Sequence, residues 1–243
     1  MVVDILATSD LHGNLPDIKV PFDILCICGD ICPAHDHYTA YQKEWIMEEF
    51  VGWINGLPFK NQFSVVMLTW GNHDFVGEMV SEEFITELTS KTGFRLNVLK
   101  HSGVTWFGRD GSVTLFGTPY CKIFGNWAFM VPDVTLDQKY LDIPDNLDIL
   151  LSHDSPTLNG LGMINEGYGK GTQAGNRVLD LHVQRALPRM LFSGHIHSGN
   201  HDFSSVEGVM MANVSYVDET YSPRWDPLHV QYDTEDKTIK KIG

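Results

Sequence analysis

No apolar stretch in the chain approaches the roughly 20 residues that a membrane-spanning helix needs. No basic segment followed by a cleavage signature opens it, so the expected setting is cytoplasmic and no membrane partner is expected. Cysteine is scarce. Cys26, Cys28, Cys32 and Cys121 are the only four in 243 residues, and their spacing fits no zinc pattern. Cys26 and Cys28 alternate along an apolar segment, where cysteine behaves as a small hydrophobe; Cys32 follows a Gly-Asp turn and is given no role. Positive charge is scarce too. Seventeen lysines and arginines stand against 31 aspartates and glutamates, a formal charge of −14. That balance argues against extended nucleic acid or an anionic membrane, both of which need a basic surface. Part of the acidic excess has a local reading, because a carboxylate-rich site holds cations. Linkers and low-complexity tracts are also missing. With 43% apolar residues the chain can build one substantial core, and residues 1–243 are expected to form a single domain.

What is present is a set of short apolar runs. Val2 to Thr8, Phe22 to Cys28, Phe63 to Trp70 and Leu147 to Ser152 read as buried strands. From Tyr38 to Leu57 large residues recur at helical steps, and Pro58 ends the helix. Ser81 with Glu82 and Glu83 marks a second helix start, for which Gly93 is the C-cap. Val104 to Gly108 and Val113 to Gly117 read as antiparallel strands of a second sheet. Arg177 to Leu187 is helical, and Val206 to Val214 and Leu228 to Tyr232 supply further strands. The expected class is α/β, with two mixed sheets packed face to face and helices outside. Ser155 to Thr172, with five glycines, reads as a functional cover or a mobile segment.

Five of the apolar runs end in residues that bind metals. Val2 to Thr8 leads to Asp10 and His12, and Phe22 to Cys28 leads to Gly29-Asp30. Phe63 to Trp70 leads to Gly71-Asn72-His73-Asp74, and Leu147 to Ser152 leads to His153. Leu191-Phe192-Ser193-Gly194 leads to His195 and His197, whose spacing puts both rings on one side of a strand end. Open α/β sheets bind ligands beyond the carboxyl ends of their strands, so the five clusters can converge on one site. Asp10, His12, Asp30, Asn72, His153, His195 and His197 are oxygen and nitrogen donors that suit Mn²⁺, Fe²⁺ or Zn²⁺. Seven are too many for one tetrahedral zinc with an open position. They suit two cations that share a carboxylate, roughly 3.5–4 Å apart, able to activate a water and neutralise a phosphoryl group.

In that order, Asp10-x-His12, Gly29-Asp30, Gly71-Asn72-His73-Asp74, His153 and Gly194-His195-x-His197 resemble the calcineurin-like metallophosphoesterase superfamily. The resemblance implies a four-layer α/β/β/α sandwich of two mixed sheets flanked by helices. It implies two divalent cations, Mn²⁺ as the first expectation and Fe, Zn or Mg as alternatives. By it, Asp10, His12, Asp30 and His197 hold the first cation, and Asp30, Asn72, His153 and His195 the second. Asp30 is then the bridge and His73 the catalytic histidine, a general acid and not a ligand, with Asp74 as the residue to orient its ring. Trp53 to Pro58, Phe116-Gly117-Thr118-Pro119 and Val214 to Pro223 are similar to the compact metallophosphoesterase-domain (MPPED-type) phosphodiesterases. That branch implies hydrolysis of a phosphodiester, including cyclic nucleotides or another small phosphoester, by attack of a metal-bridging hydroxide. Asp154-Ser155 departs from the small residues expected after His153.

Outside the pattern, His101, His182, His201 and His229 read as surface or satisfied core residues. His35 and His37 read as residues leading into the first helix, with reach to the substrate as the alternative. Asn126, Trp127 and Gly160 to Gly175 are where selectivity is expected. Two other readings of the chain stand beside the small-molecule esterase. One is a nuclease acting on DNA or RNA, which the acidic balance disfavours; the other is a catalytically weak metal-binding scaffold, which the retained His73 disfavours.

Overall fold

The computed structural model describes residues 1–242. The chain opens with strands β1 (Val2–Thr8) and β2 (Ile24–Cys28). A continuous helical run follows, made of α1 (Thr39–Trp45), a π-helical turn (Ile46–Phe50) and α2 (Val51–Gly56). Next come β3 (Val65–Thr69), the short α3 (Phe75–Met79), α4 (Glu82–Lys91) and β4 (Leu96–Val98). The middle of the chain holds β5 (Ser102–Phe107), β6 (Ser112–Thr118), β7 (Cys121–Lys122), β8 (Met130–Val131) and α5 (Asp133–Tyr140). It closes with β9 (Ile149–Ser152), α6 (Arg177–Ala186), β10 (Met190–Ser193), β11 (Ser204–Val206), β12 (Val209–Asn213), β13 (Leu228–Asp233) and β14 (Ile239–Lys241). Among the described residues, none of the helices is long and apolar enough to cross a membrane.

Two six-stranded mixed sheets result, in the orders β14-β13-β1-β2-β3-β4 and β11-β12-β10-β9-β6-β5. Strand periodicity explains how each apolar run serves two layers. Val3, Ile5 and Ala7 of β1 and Ile24, Cys26 and Cys28 of β2 face the other sheet. There they meet Leu115 of β6, Ile149 and Leu151 of β9, and Phe192 of β10. The intervening residues Leu6, Leu25 and Ile27 turn outward to Ile46, Phe50 and Ile54 of the long helical run and to Leu88 of α4. On the far side Leu150, Leu191 and Met211 pack on Leu136 and Tyr140 of α5 and Leu179, Val183 and Ala186 of α6. Helix, sheet, sheet, helix is the layering the sequence implied.

Local signals decide where several elements begin and end. Ser81 caps α4, its hydroxyl accepting from the Phe84 amide at 3.4 Å. Asn176 caps α6 by accepting from the Val178 and Leu179 amides, and Leu187 closes that helix in a left-handed conformation before Pro188. Some elements lie outside the sequence reading: α3, α5, the β7–β8 pair and the edge strand β14. Leu96–Val98 joins the first sheet, parallel to β3, and of the expected strand Val206 to Val214 only Val209–Asn213 forms β12, Val206 being the last residue of β11 before the turn.

The decisive feature for function is direction. β1, β2 and β3 run parallel in one sheet, and β6, β9 and β10 run parallel in the other. The carboxyl ends of β1, β2, β3, β9 and β10 carry all five metal-type clusters.

Candidate metal centre

Asp10, His12, Asp30 and His195 all sit at positive φ, 51°, 44°, 52° and 68°. A non-glycine residue rarely adopts that region, and such strain concentrates where the surroundings over-determine a site. The chain leaves each strand by a tight turn that swings the next side chain back over the strand ends. Backbone bonds cross-tie the turns: the Asp10 amide donates to Gly29 O at 2.9 Å and the His12 amide to Asp30 O at 2.9 Å. The glycines of these turns make room. A Cβ on Gly71 would lie 2.2 Å from Asp30 Oδ1, and one on Gly194 would lie 2.0 Å from Ser9 Oγ and 2.3 Å from Asp10 Oδ2.

Two groups of donors converge. In the first, one donor atom each of Asp10, His12 and His197 lies within 4.8 Å of the others. His12 Nε2 and His197 Nε2 approach to 3.3 Å. His197 Nδ1 donates to Asp218 O at 3.0 Å, which leaves its Nε2 as a free lone pair. In the second group Asp10, Asp30 and His153 stand equally close. His153 Nδ1 donates to Cys28 O at 2.8 Å, and its Nε2 is 2.9 Å from Asn72 Oδ1. Asp30 Oδ2 lies between the groups, 3.6 Å from His12 Nε2 and 3.5 Å from His153 Nε2. His195 stands against His153 with ring centroids 5.1 Å apart, and its amide donates to both Asp10 oxygens at 3.0 Å.

The electrostatics fit a cation. Asp10 and Asp30 are buried, and among the described residues their only ion-pair partners are histidines. Burial pushes the Asp30 carboxyl well above its ordinary value, and the charges of Asp74 and Asp10 push it further. Burial also holds His12 well below its ordinary value, with His197, His73 and His153 adding to the effect. Neutral imidazoles are what a cation requires. His12 Nδ1 and Asn72 Nδ2 are buried without a hydrogen-bond partner, an arrangement that costs free energy unless a ligand organises the site.

His73 is beside this cluster and outside both donor groups. Its amide donates to Asp30 Oδ1 at 2.7 Å, and its ring stacks on Trp127 with centroids 4.3 Å apart. Burial first, then the neighbouring His37, His153 and His197, pulls its pKa down to about 3. The orienting role expected of Asp74 is not what the geometry provides. Asp74 accepts from the Gly71 amide at 2.8 Å, the Cys32 amide at 3.0 Å and the Ile31 amide at 3.4 Å. It ties two turns together, while the His73 ring is met by His37, Nε2 to Nδ1 at 3.2 Å.

Other neighbours of the cluster carry no sequence signal that the spacing could expose. Ser215 Oγ donates to Asp10 Oδ2 at 2.6 Å. Tyr221 sets its ring 4.7 Å from His12 and 5.4 Å from His197. Cys121 lies with His153 and His195. Asp154 and Ser155, the departure after His153, point into the protein. Asp154 Oδ2 accepts from the Lys122 amide and Asn176 Nδ2, and Ser155 Oγ donates to Gly194 O at 2.6 Å. The glycine-rich segment is anchored beside His197: Asn165 Nδ2 donates to Ser198 O at 2.7 Å, and Glu166 pairs with Arg224. Asn126 is exposed and Trp127 half-buried at the rim. His35 bonds Tyr41 and takes no part in the cluster.

Comparison with known proteins bears on the fold and the family. A probable rhamnogalacturonate lyase C of Emericella nidulans is 27% identical over 203 residues, 82% of this chain. The chain spans only 17% of that protein's length. One solved structure, 13% identical, covers 100% of this chain and 99% of its own at a TM-score of 0.61. The phosphopantetheinyl hydrolase of Mycobacterium tuberculosis, 15% identical, covers 87% of this chain and 88% of its own at a TM-score of 0.50. At those identities the structures speak to the fold alone. The family model for the calcineurin-like phosphoesterases matches residues 3–199, which include every residue of both donor groups. The chain belongs to the calcineurin-like phosphoesterases, metal-dependent hydrolases of phosphoesters.

Proposed function

We propose that the chain, acting as one domain, hydrolyses a small phosphodiester at a dinuclear centre. Asp10, His12, Asp30 and His197 would hold one divalent cation, and Asp30, Asn72, His153 and His195 the other. When bound, the pair supplies a water of lowered pKa and neutralises charge on the phosphoryl group. The observation that carries the reading is the Asp30 Oδ2 atom, 3.6 Å from His12 Nε2 and 3.5 Å from His153 Nε2. One carboxylate oxygen with a ligand-type nitrogen on either side suits a bridge.

The protein's own residues have separate tasks. The Cys28 and Asp218 carbonyls fix the tautomers of His153 and His197, keeping each Nε2 lone pair directed inward. Ser215 and the His195 amide orient Asp10. His73 is stacked on Trp127 with Nδ1 engaged by His37; the negative charge of a bound phosphoester would raise its low pKa and let its other ring nitrogen, as imidazolium, give a proton to the departing oxygen. Mn²⁺ is the first expectation for the cations, and four free, buried cysteines suit a reducing cytoplasm. The test is a panel of phosphodiesters and phosphomonoesters assayed with and without added Mn²⁺. Cation-dependent turnover supports the reading; tight cation binding without turnover on any ester contradicts it.

A further inference from the structure

Four cysteines are present, and three have an evident packing role. Cys26 and Cys28 fill the space between the sheets, and Cys32 belongs to the core under the long helical run. Cys121 is different. It follows β6, whose carboxyl end opens on the same edge as β9, with Thr118 in register with Ser152. The His153 amide donates to Thr118 O at 3.0 Å, holding this strand end against the second donor group. A sixth strand end thus contributes to the centre. Cys121 Sγ and one ring nitrogen each of His153 and His195 lie within 4.8 Å of one another, and the thiol is fully buried.

A second observation points to a ligand at this spot. Asn72 is 1% exposed, with Oδ1 turned to His153 Nε2 at 2.9 Å and Nδ2 without a partner. Because His153 Nδ1 donates to Cys28 O, its Nε2 lone pair is directed at the buried Asn72 amide. That amide, the imidazoles of His153 and His195 and the Cys121 thiol form one buried set of polar groups. A cation resolves that arrangement, and sulfur changes which cation it is. A mixed imidazole and carboxylate set takes Mn²⁺, Fe²⁺ or Zn²⁺, whereas an added thiolate favours zinc or ferrous iron over Mn²⁺.

We propose that Cys121 is an additional ligand of the cation held by His153 and His195, making this half of the centre selective for thiophilic metals. Asp10, His12 and His197 keep the other half a nitrogen and oxygen site. The sulfur–metal bond forms from a sulfur lone pair as the thiol proton passes to the buffer, so no oxidant or reductant is needed. The thiol donates to Pro119 O at 3.4 Å, a weak bond that a cation would replace. The proposal rests on the dinuclear reading above.

Cobalt separates a sulfur ligand from a merely neighbouring thiol. The full chain is loaded with Co²⁺, the bound metal is counted, and the near-ultraviolet thiolate-to-cobalt charge-transfer band is recorded for wild type and Cys121→Ser. The expected result is two ions and the band in wild type, with the band lost in the variant. Zinc affinity of the variant should also fall by at least the roughly 10–100-fold that losing a supporting residue costs, with Mn²⁺ affinity nearly unchanged. Two ions without a band in wild type overturn the proposal and leave the dinuclear reading standing. A band that survives in Cys121→Ser belongs to another cysteine and also overturns it. Fewer than two ions in wild type overturn the dinuclear reading itself. If the variant does not fold, X-ray absorption of zinc-loaded wild type decides. A sulfur shell near ~2.3 Å supports the proposal, and only nitrogen and oxygen at about 2.0–2.2 Å contradict it.

Discussion

His37 Nε2 lies 3.2 Å from His73 Nδ1, so the histidine beside the metal centre is held by a second histidine from the segment before α1. With Nδ1 of His73 engaged by His37, Nε2 is the nitrogen left free to carry the proton that His73 would donate as imidazolium. His73→Ala should cut kcat/KM for an alkyl or ribose phosphodiester by about 10²–10⁴-fold and for a nitrophenyl ester much less. A nitrophenolate departs as an anion and needs no proton. His37→Ala should lose in the same direction by roughly two- to tenfold, the worth of one net hydrogen bond. Equal losses on both esters, measured with metal content unchanged, would remove His73 from proton donation.

The buried Asp30 carboxyl makes a prediction about pH. Its native pKa is raised by burial and by Asp74 and Asp10, so the native state keeps a proton that the unfolded chain has released. For metal-free protein that contribution is fully present below the ordinary carboxylate range and is lost as pH rises through the raised value. A cation must expel the same proton, whereas His12, held low, has none to give up. The gap in Tm between cation-loaded and chelator-treated protein should therefore widen as pH rises from about 4. Calorimetric titration in buffers of different ionisation enthalpy should show proton release that Asp30→Asn abolishes. A gap that is flat with pH would contradict this origin.

Glycine positions separate a site requirement from a helix propensity. Gly194→Ala puts a Cβ against Ser9 Oγ and Asp10 Oδ2 and should cost about 1–3 kcal/mol together with cation affinity. Gly52 lies in α2, where an added Cβ would have nothing within 4 Å. Gly52→Ala should instead stabilise by about 0.5–1 kcal/mol and leave cation binding alone. Denaturant midpoints of the two variants, with cation titrations, check both halves.

Asp74 supports the site from behind. Removing its carboxylate leaves the buried amides of Gly71, Cys32 and Ile31 without their acceptor. Asp74→Ala should destabilise the fold by roughly 1–3 kcal/mol and lower turnover on nitrophenyl and alkyl esters alike, because both turns relax. A loss confined to alkyl esters would return Asp74 to the His73 ring.

Much of this was legible in the residues because strands write their ends plainly. Each apolar run of Ile24–Cys28 type stops where its chain must turn, and the polar residue after a buried strand end has a known direction. The layering followed from alternation, as Leu25 and Ile27 face helices while Ile24 and Cys26 face the other sheet. What was not legible depends on contacts between distant segments. His37 and His73 are 36 positions apart and meet only through the fold. Cys121 sits in no spacing pattern, and it reaches His153 because β6 and β9 pair. Asp74 follows His73 directly, which suggested a partnership, but the turn sends the carboxylate back to Gly71 and Cys32.

The bridge at Asp30 is the centre of the account, and counting metals after dialysis tests it most directly. Wild type loaded with Co²⁺ should retain two ions per chain. Asp30→Asn weakens both positions at once and should retain the fewest, whereas Asn72→Ala strips one neutral ligand from one position and should keep the other ion. An Asp30→Asn protein that still holds two ions, beside an Asn72→Ala protein that has lost both, would contradict the shared carboxylate.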